Sequence, residues 1–139
     1  MKNDPIEIRT VNSEELKDFY CGILVREIRI AFGAFQKGRC IGISGVIRDP
    51  SYFGTIFEEE GRIIGFLDVK ENPPGFGLRV FRAMLSYLRN QPDDIYVLCD
   101  VETFPQAERL LKILGFVPTD ERETNMRTHR LARVWKWQR

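Results

Sequence analysis

The sequence holds a single histidine, His129, among 139 residues. That scarcity removes most histidine chemistry. A zinc centre would need cysteines and carboxylates, and a histidine-dependent triad could draw only on a residue near the C-terminal end. Cysteine is scarce too: Cys21, Cys40 and Cys99 are odd in number and lack metal or redox spacing, so they read as reduced thiols and no metal is expected. Charge of one sign is missing. With 21 Lys+Arg against 20 Asp+Glu the net charge is +1, which advertises neither a specific nucleic acid nor a membrane as partner. No apolar run approaches bilayer-spanning length and "MKNDPIEIRT" lacks a signal-peptide core, so a cytoplasmic protein is expected. The common catalytic signatures are absent as well. "GISG" (42–45) lacks the spacing of G-x-S-x-G, no Gly-Lys-Ser/Thr follows a glycine loop, and Val80 stands where G-x-G-x-x-G would need its third glycine.

What is present is an ordinary globular composition, 43% hydrophobic and 29% charged, long enough for one domain over residues 1–139 with a core of its own. "IEIRTV" (6–11) alternates as a half-buried strand does. In "NSEELKDFYCGIL" Asn12 or Ser13 suits a helix cap, with Leu16, Phe19, Tyr20 and Ile23 on one stripe. "IRIAFGAFQKGRCIGISGVIRD" reads as a hairpin in which Gly38 supplies a positive φ. "FGTIFEEE" and "RIIGFLDVK" read as two further extended segments, with Glu58 to Glu60 as a solvated strand end.

From Gly77 the period becomes helical, with Leu78, Phe81, Met84, Leu85 and Leu88 on one face. "DDIYVLCDV" is an interior strand by its nearly continuous apolar run. "TFPQAERLLKILGF" is a helix with Thr103 and Gln106 at capping-box spacing, Pro105 in its first turn and Gly115 at its end. "RLARVWKW" reads as a closing edge strand with a basic rim, Trp135 and Trp137 sharing a face. The fold class is therefore α/β of the mixed α+β kind. It is a single, mostly antiparallel sheet of six to seven strands with helices on both faces and one parallel β-α-β crossover between Arg62 and Val101.

The passage "ENPPGFG" between strand and helix leaves two readings open. It is either a tight structural turn, or a loop whose bare N–H groups at Gly75 to Leu78 hold an anion at a helix start, with Arg79 and Arg82 adding charge. Asp68 on the strand and Glu71 after it point to opposite faces in a period-2 strand. They are the acid/base candidates; the bland alternative is a partnered strand-end carboxylate and a loop charge. Cys99 reads as a small buried hydrophobe rather than a nucleophile.

Three segments, in order, resemble the GNAT N-acetyltransferase superfamily. "AERLLKILGF" keeps Ala107, Gly115 and Phe116 at the spacing of its last helix motif. "FGAFQKGRCIGISGV" is similar to its central hairpin, and "NPPGFG" to its pyrophosphate loop. The compact strand-to-helix passage also looks like that of small acetyltransferase-like proteins of tailed phages. The resemblance implies acetyl-CoA lying between "RIIGFLDVK" and "IYVLCDV", and transfer of its acetyl group to an amine of a small molecule or protein. Gly75, Phe76, Gly77 and Leu78, with Arg79, would then hold the pyrophosphate, and the backbone of Leu67, Asp68 and Val69 the pantetheine arm. Asp68 or Glu71 would serve as base.

The chain departs from the superfamily pattern at three places. Leu111 replaces the usual tyrosine acid, Phe104 a common asparagine, and Asn72 the residue that opens the loop. Those departures keep a second expectation in play, a catalytically inactive protein on the same fold used for interaction or assembly. In that case Phe66, Phe76 and Phe104 would fill the cofactor gap, and the basic, tryptophan-bearing C-terminal stretch would carry binding. A homodimer through an exposed edge strand is compatible with either.

Overall fold

The computed structural model describes residues 5–19, 28–47, 62–70, 76–99, 105–125 and 129–138. Seven strands and three helices follow one another as β1 (Glu7–Thr10), α1 (Ser13–Phe19), β2 (Ile28–Gln36), β3 (Arg39–Ile47), β4 (Ile63–Val69), α2 (Phe76–Tyr87), β5 (Ile95–Cys99), α3 (Ala107–Leu114), β6 (Phe116–Asn125) and β7 (Arg130–Trp137). The strands form one sheet in the order β1-β2-β3-β4-β5-β7-β6. β4 and β5 are parallel, in register at Ile63↔Ile95 and Ile64↔Tyr96, as two strands joined through a helix must be. The β1–β2, β5–β7 and β6–β7 pairs are antiparallel. The segment "FGTIFEEE" lies outside the described residues, as do Glu71, Asn72, Gly75, Thr103 and Phe104.

The chain divides into two compact units. In the first, Met1–Val46 with Phe66–Asn90, the β2–β3 turn has both central residues at positive φ, Lys37 at 53° and Gly38 at 75°. That is the pattern whose twist suits a two-residue hairpin. α1 is capped reciprocally: the Asn12 side chain accepts from the Glu15 N–H at 2.9 Å, and Glu15 accepts from the Asn12 N–H at 3.0 Å. Its Phe19 packs with Ala31, Ile43 and Phe66. Val80 of α2 packs instead with Ala34, Ile41 and Leu67. Because Phe66 and Leu67 are successive residues of one strand, α1 and α2 cover opposite faces of the sheet. Of the expected helical stripe, Phe81, Met84, Leu85 and Leu88 are buried and Leu78 is half-buried; Val80 joins them inside, and Arg79, Arg82 and Arg89 are outside.

In the second unit, Ile47–Gly65 with Gln91–Arg139, α3 begins three residues later than its capping signal suggests. Gln106 is itself the cap and its side chain makes no cap bond, while Pro105 sits in the preceding turn. Gly115 ends the helix in the left-handed region at φ 91°, its N–H reaching the Leu111 and Lys112 carbonyls. The chain then turns into β6, which the sequence pattern does not announce. "FVPTDERETN" is polar and holds Pro118, a composition tolerated because β6 is an edge strand.

The expectation that "RLARVWKW" forms the sheet edge is corrected: β7 lies between β5 and β6. Its cations are spent within the unit. Arg133 donates to the Thr119 carbonyl at 2.8 Å, and Lys136 pairs with Asp94 at 3.3 Å. Trp135 is 1% exposed, and the Trp137 indole donates to the Leu114 carbonyl at 3.2 Å.

Candidate functional site

β4 delivers the chain from Leu67 through Val69 to Lys70, and α2 starts at Phe76. Leu67 and Asp68 are half-buried, while Val69 is exposed. The close approach between the two elements is visible at Gly77. A Cβ built there would stand 3.4 Å from Cδ2 of Leu67, an ordinary van der Waals contact, so the first turn of α2 lies beside β4 and the position has room for a side chain. That first turn holds no acidic side chain. Its leading N–H groups have no partner within the helix, which makes the N-terminus of α2 an electropositive end.

The site residues expected from the sequence therefore fall in two places. Leu67, Asp68 and Val69 stand on β4, and Phe76, Gly77, Leu78 and Arg79 open α2. Gly75 and Glu71 lie outside the described residues. The Arg79 guanidinium donates to the Ile6 carbonyl at 3.2 Å, so its side chain ties α2 to the start of β1. Asp68 follows Phe66 onto the α1 face of the strand, away from Leu67. It has a partner within the protein.

Other candidates resolve into structural roles. The Ser44 hydroxyl of "GISG" is fully buried and donates to the Phe66 carbonyl at 2.9 Å. The Phe66 ring lies over Gly45, 3.0 Å from where a Cβ would be. Cys99 is buried at the end of β5, as a small hydrophobe is. Leu111, where the resemblance looks for a tyrosine, is 4% exposed on the packed face of α3. No cluster of metal-binding side chains occurs among the described residues. No helix there is long and apolar enough to cross a membrane.

A second feature was not foreseen from sequence. Glu15, Asp18 and Phe19 of α1, Phe35, the turn from Lys37 to Cys40, and Lys70 line a cleft of about 310 Å³. These residues are far apart in the chain, and each alone reads as an ordinary core or surface side chain.

The fold defined by this sheet, its parallel pair and its three helices is that of the GNAT acetyltransferases. Aminoglycoside acetyltransferase AAC(6')-Ib, in complex with paromomycin and acetyl-CoA, superposes with a TM-score of 0.69 at 17% identity, over 98% of this chain and 94% of that one. A chimera of spermidine N-acetyltransferase SpeG from Vibrio cholerae and hSSAT gives 0.62 at 13% identity, over 95% and 94%. A Bacillus halodurans protein of uncharacterized function gives 0.64 at 14% identity, over 96% of this chain and 83% of that one. No protein-family profile matches the sequence, and no curated protein matches it.

Proposed function

We propose that residues 1–139 work as one acetyl-CoA-dependent N-acetyltransferase domain acting on an amine of a small molecule or protein. The observation that carries this reading is the junction of β4 and α2 on an acetyltransferase fold. There an acid-free helix start lies beside the strand that leads into it. AAC(6')-Ib is bound to acetyl-CoA in one of its structures, and this supports acetyl-CoA as the cosubstrate here.

In this reading the N–H groups of Phe76, Gly77, Leu78 and Arg79, with Gly75 before them, hold the pyrophosphate, and the β4 backbone from Leu67 to Val69 holds the pantetheine arm. Acetyl-CoA supplies an activated thioester carbonyl. The acceptor's amine nitrogen forms the new C–N bond and the C–S bond breaks. Asp68 or Glu71 takes the ammonium proton, directly or through water. With leucine at 111, the departing thiolate takes its proton from water.

The finer kinship we favour is with the small phage-type members, on the compactness of the β4–α2 passage. We infer a cytoplasmic protein. Homodimers would pair through β1 or β6, the two edges of the sheet among the described strands. The inactive alternative loses ground because β7's two tryptophans and two of its cations are engaged internally.

The test is calorimetric titration of acetyl-CoA and CoA into the protein and into Gly77→Glu, followed by an amine screen that reads release of the CoA thiol. A carboxylate suits a helix start, so this variant should fold, yet it repels a pyrophosphate. Binding that the variant loses, together with thiol release, is the expected result. Absence of binding to the wild type would leave the junction a structural turn and end this reading.

A further inference from the structure

The cleft between α1, the β2–β3 turn and Lys70 has an aromatic floor of Phe19 and Phe35 and charges of both signs on its walls. Most of those charges are already engaged. Glu15 is gripped by the Arg9 guanidinium at 3.0 and 2.6 Å and by the Asn12 N–H. Lys37 and Arg39 have partners within the protein. Asp18 and Lys70 differ: neither makes an ion pair among the described residues. They line the same cleft and carry opposite charge, yet they do not meet each other. The Lys70 ammonium rests over the Phe19 ring, 4.5 Å from its centroid.

An ammonium and a carboxylate that line one aromatic-floored cleft without pairing with each other are complementary to a molecule with the reverse arrangement. We propose that this cleft binds a small amino-acid-like zwitterion, its carboxylate toward Lys70, its ammonium toward Asp18 and its apolar stem on Phe19 and Phe35. The volume of about 310 Å³ is at the lower end of small-molecule sites, suited to one amino acid. The charge balance also argues against a polycation. Glu15 is already neutralised by Arg9, which leaves Asp18 as the one lining carboxylate without an ion pair among the described residues. Polyamines and aminoglycosides are thus poor occupants of this cleft. Lys70 directly follows β4, so the cleft borders the β4–α2 junction, but its assignment does not depend on the acetyl-transfer reading.

Cys40 supplies the readout, because its half-exposed thiol lines the cleft. The rate at which iodoacetamide modifies Cys40, followed by mass spectrometry of its own peptide, would be measured with L-phenylalanine, phenylacetate, phenethylamine and spermidine. L-Phenylalanine should slow the reaction saturably, and each singly charged analogue should bind about tenfold or more weakly, the worth of one charge-assisted contact. Lys70→Met and Asp18→Asn, both at exposed positions, should fold normally and each abolish that preference. Equal shielding by phenylacetate would make this a plain anion site and overturn the proposal. So would shielding by spermidine, or none by L-phenylalanine at millimolar concentration. Shielding of Cys40 by L-phenylalanine in a protein that binds no acetyl-CoA would leave the cleft's assignment intact while removing the enzymatic one.

Discussion

Arg9 and Glu15 are joined by two parallel hydrogen bonds, 3.0 and 2.6 Å long, between β1 and the first turn of α1. The same carboxylate closes the cap of α1, and the same guanidinium lies over the Phe35 ring at 3.7 Å. Two side chains thus tie β1, α1 and β2 together at one wall of the cleft.

The Arg9 fork and the Asn12 N–H hold the Glu15 carboxyl at about 2, well below its ordinary value. A carboxyl whose pKa is lower in the folded protein contributes stability above its unfolded pKa, and loses it as pH falls through the folded one. Wild-type stability should therefore decline from about pH 4.5 toward pH 2. Glu15→Gln should flatten this part of the curve, while Glu15→Ala should cost about 1 kcal/mol at neutral pH through loss of the cap. Urea unfolding across this pH range checks both; parallel curves for wild type and Glu15→Gln would refute the assignment.

Gly45 admits no side chain. A Cβ there would stand 2.5 Å from the Ile30 carbonyl oxygen and 3.0 Å from the Phe66 ring. Gly45→Ala should destabilise by about 1–3 kcal/mol, because a backbone carbonyl has to move. Adding Phe66→Leu should not restore the loss, since the carbonyl clash remains. Thermal denaturation of the single and double variants decides it.

At the end of α3 the Trp137 indole donates to the Leu114 carbonyl at 3.2 Å and its ring stacks on Phe116, centroids 6.4 Å apart. Trp137→Phe keeps a ring and removes the donor, so about 1 kcal/mol should be lost. Leu111→Ala, at a position 4% exposed, should cost about 2–5 kcal/mol through the cavity it leaves. Equal losses in denaturant titrations would contradict this ranking.

Burial pushes the Cys40 thiol up from its ordinary range, with the Gly42 carbonyl accepting its S–H at 3.4 Å. Alkylation of Cys40 in the ligand-free protein should be slow at neutral pH and keep accelerating above the pH at which a free thiol levels off. A plateau at the ordinary thiol value would show a solvated side chain instead.

Wherever a local pattern leads to a local consequence, the amino-acid sequence alone determined the outcome. Gly38 and Gly115 adopt the positive φ their turns require, α2 buries the stripe its period prescribes, and a strand-helix-strand passage produces the parallel β4–β5 pair. The β4–α2 junction was legible for the same reason, since its residues are neighbours in the chain. Tertiary structure decided what depends on distant partners. β7 became interior because polar β6 pairs along its outer side, a pairing no periodicity encodes. Arg79, expected to face a phosphate, found the Ile6 carbonyl instead. Asp18 and Lys70 carry no motif at all. They share a cleft only because α1 packs against the sheet face where β4 ends, and long-range packing of that kind leaves no local trace in sequence.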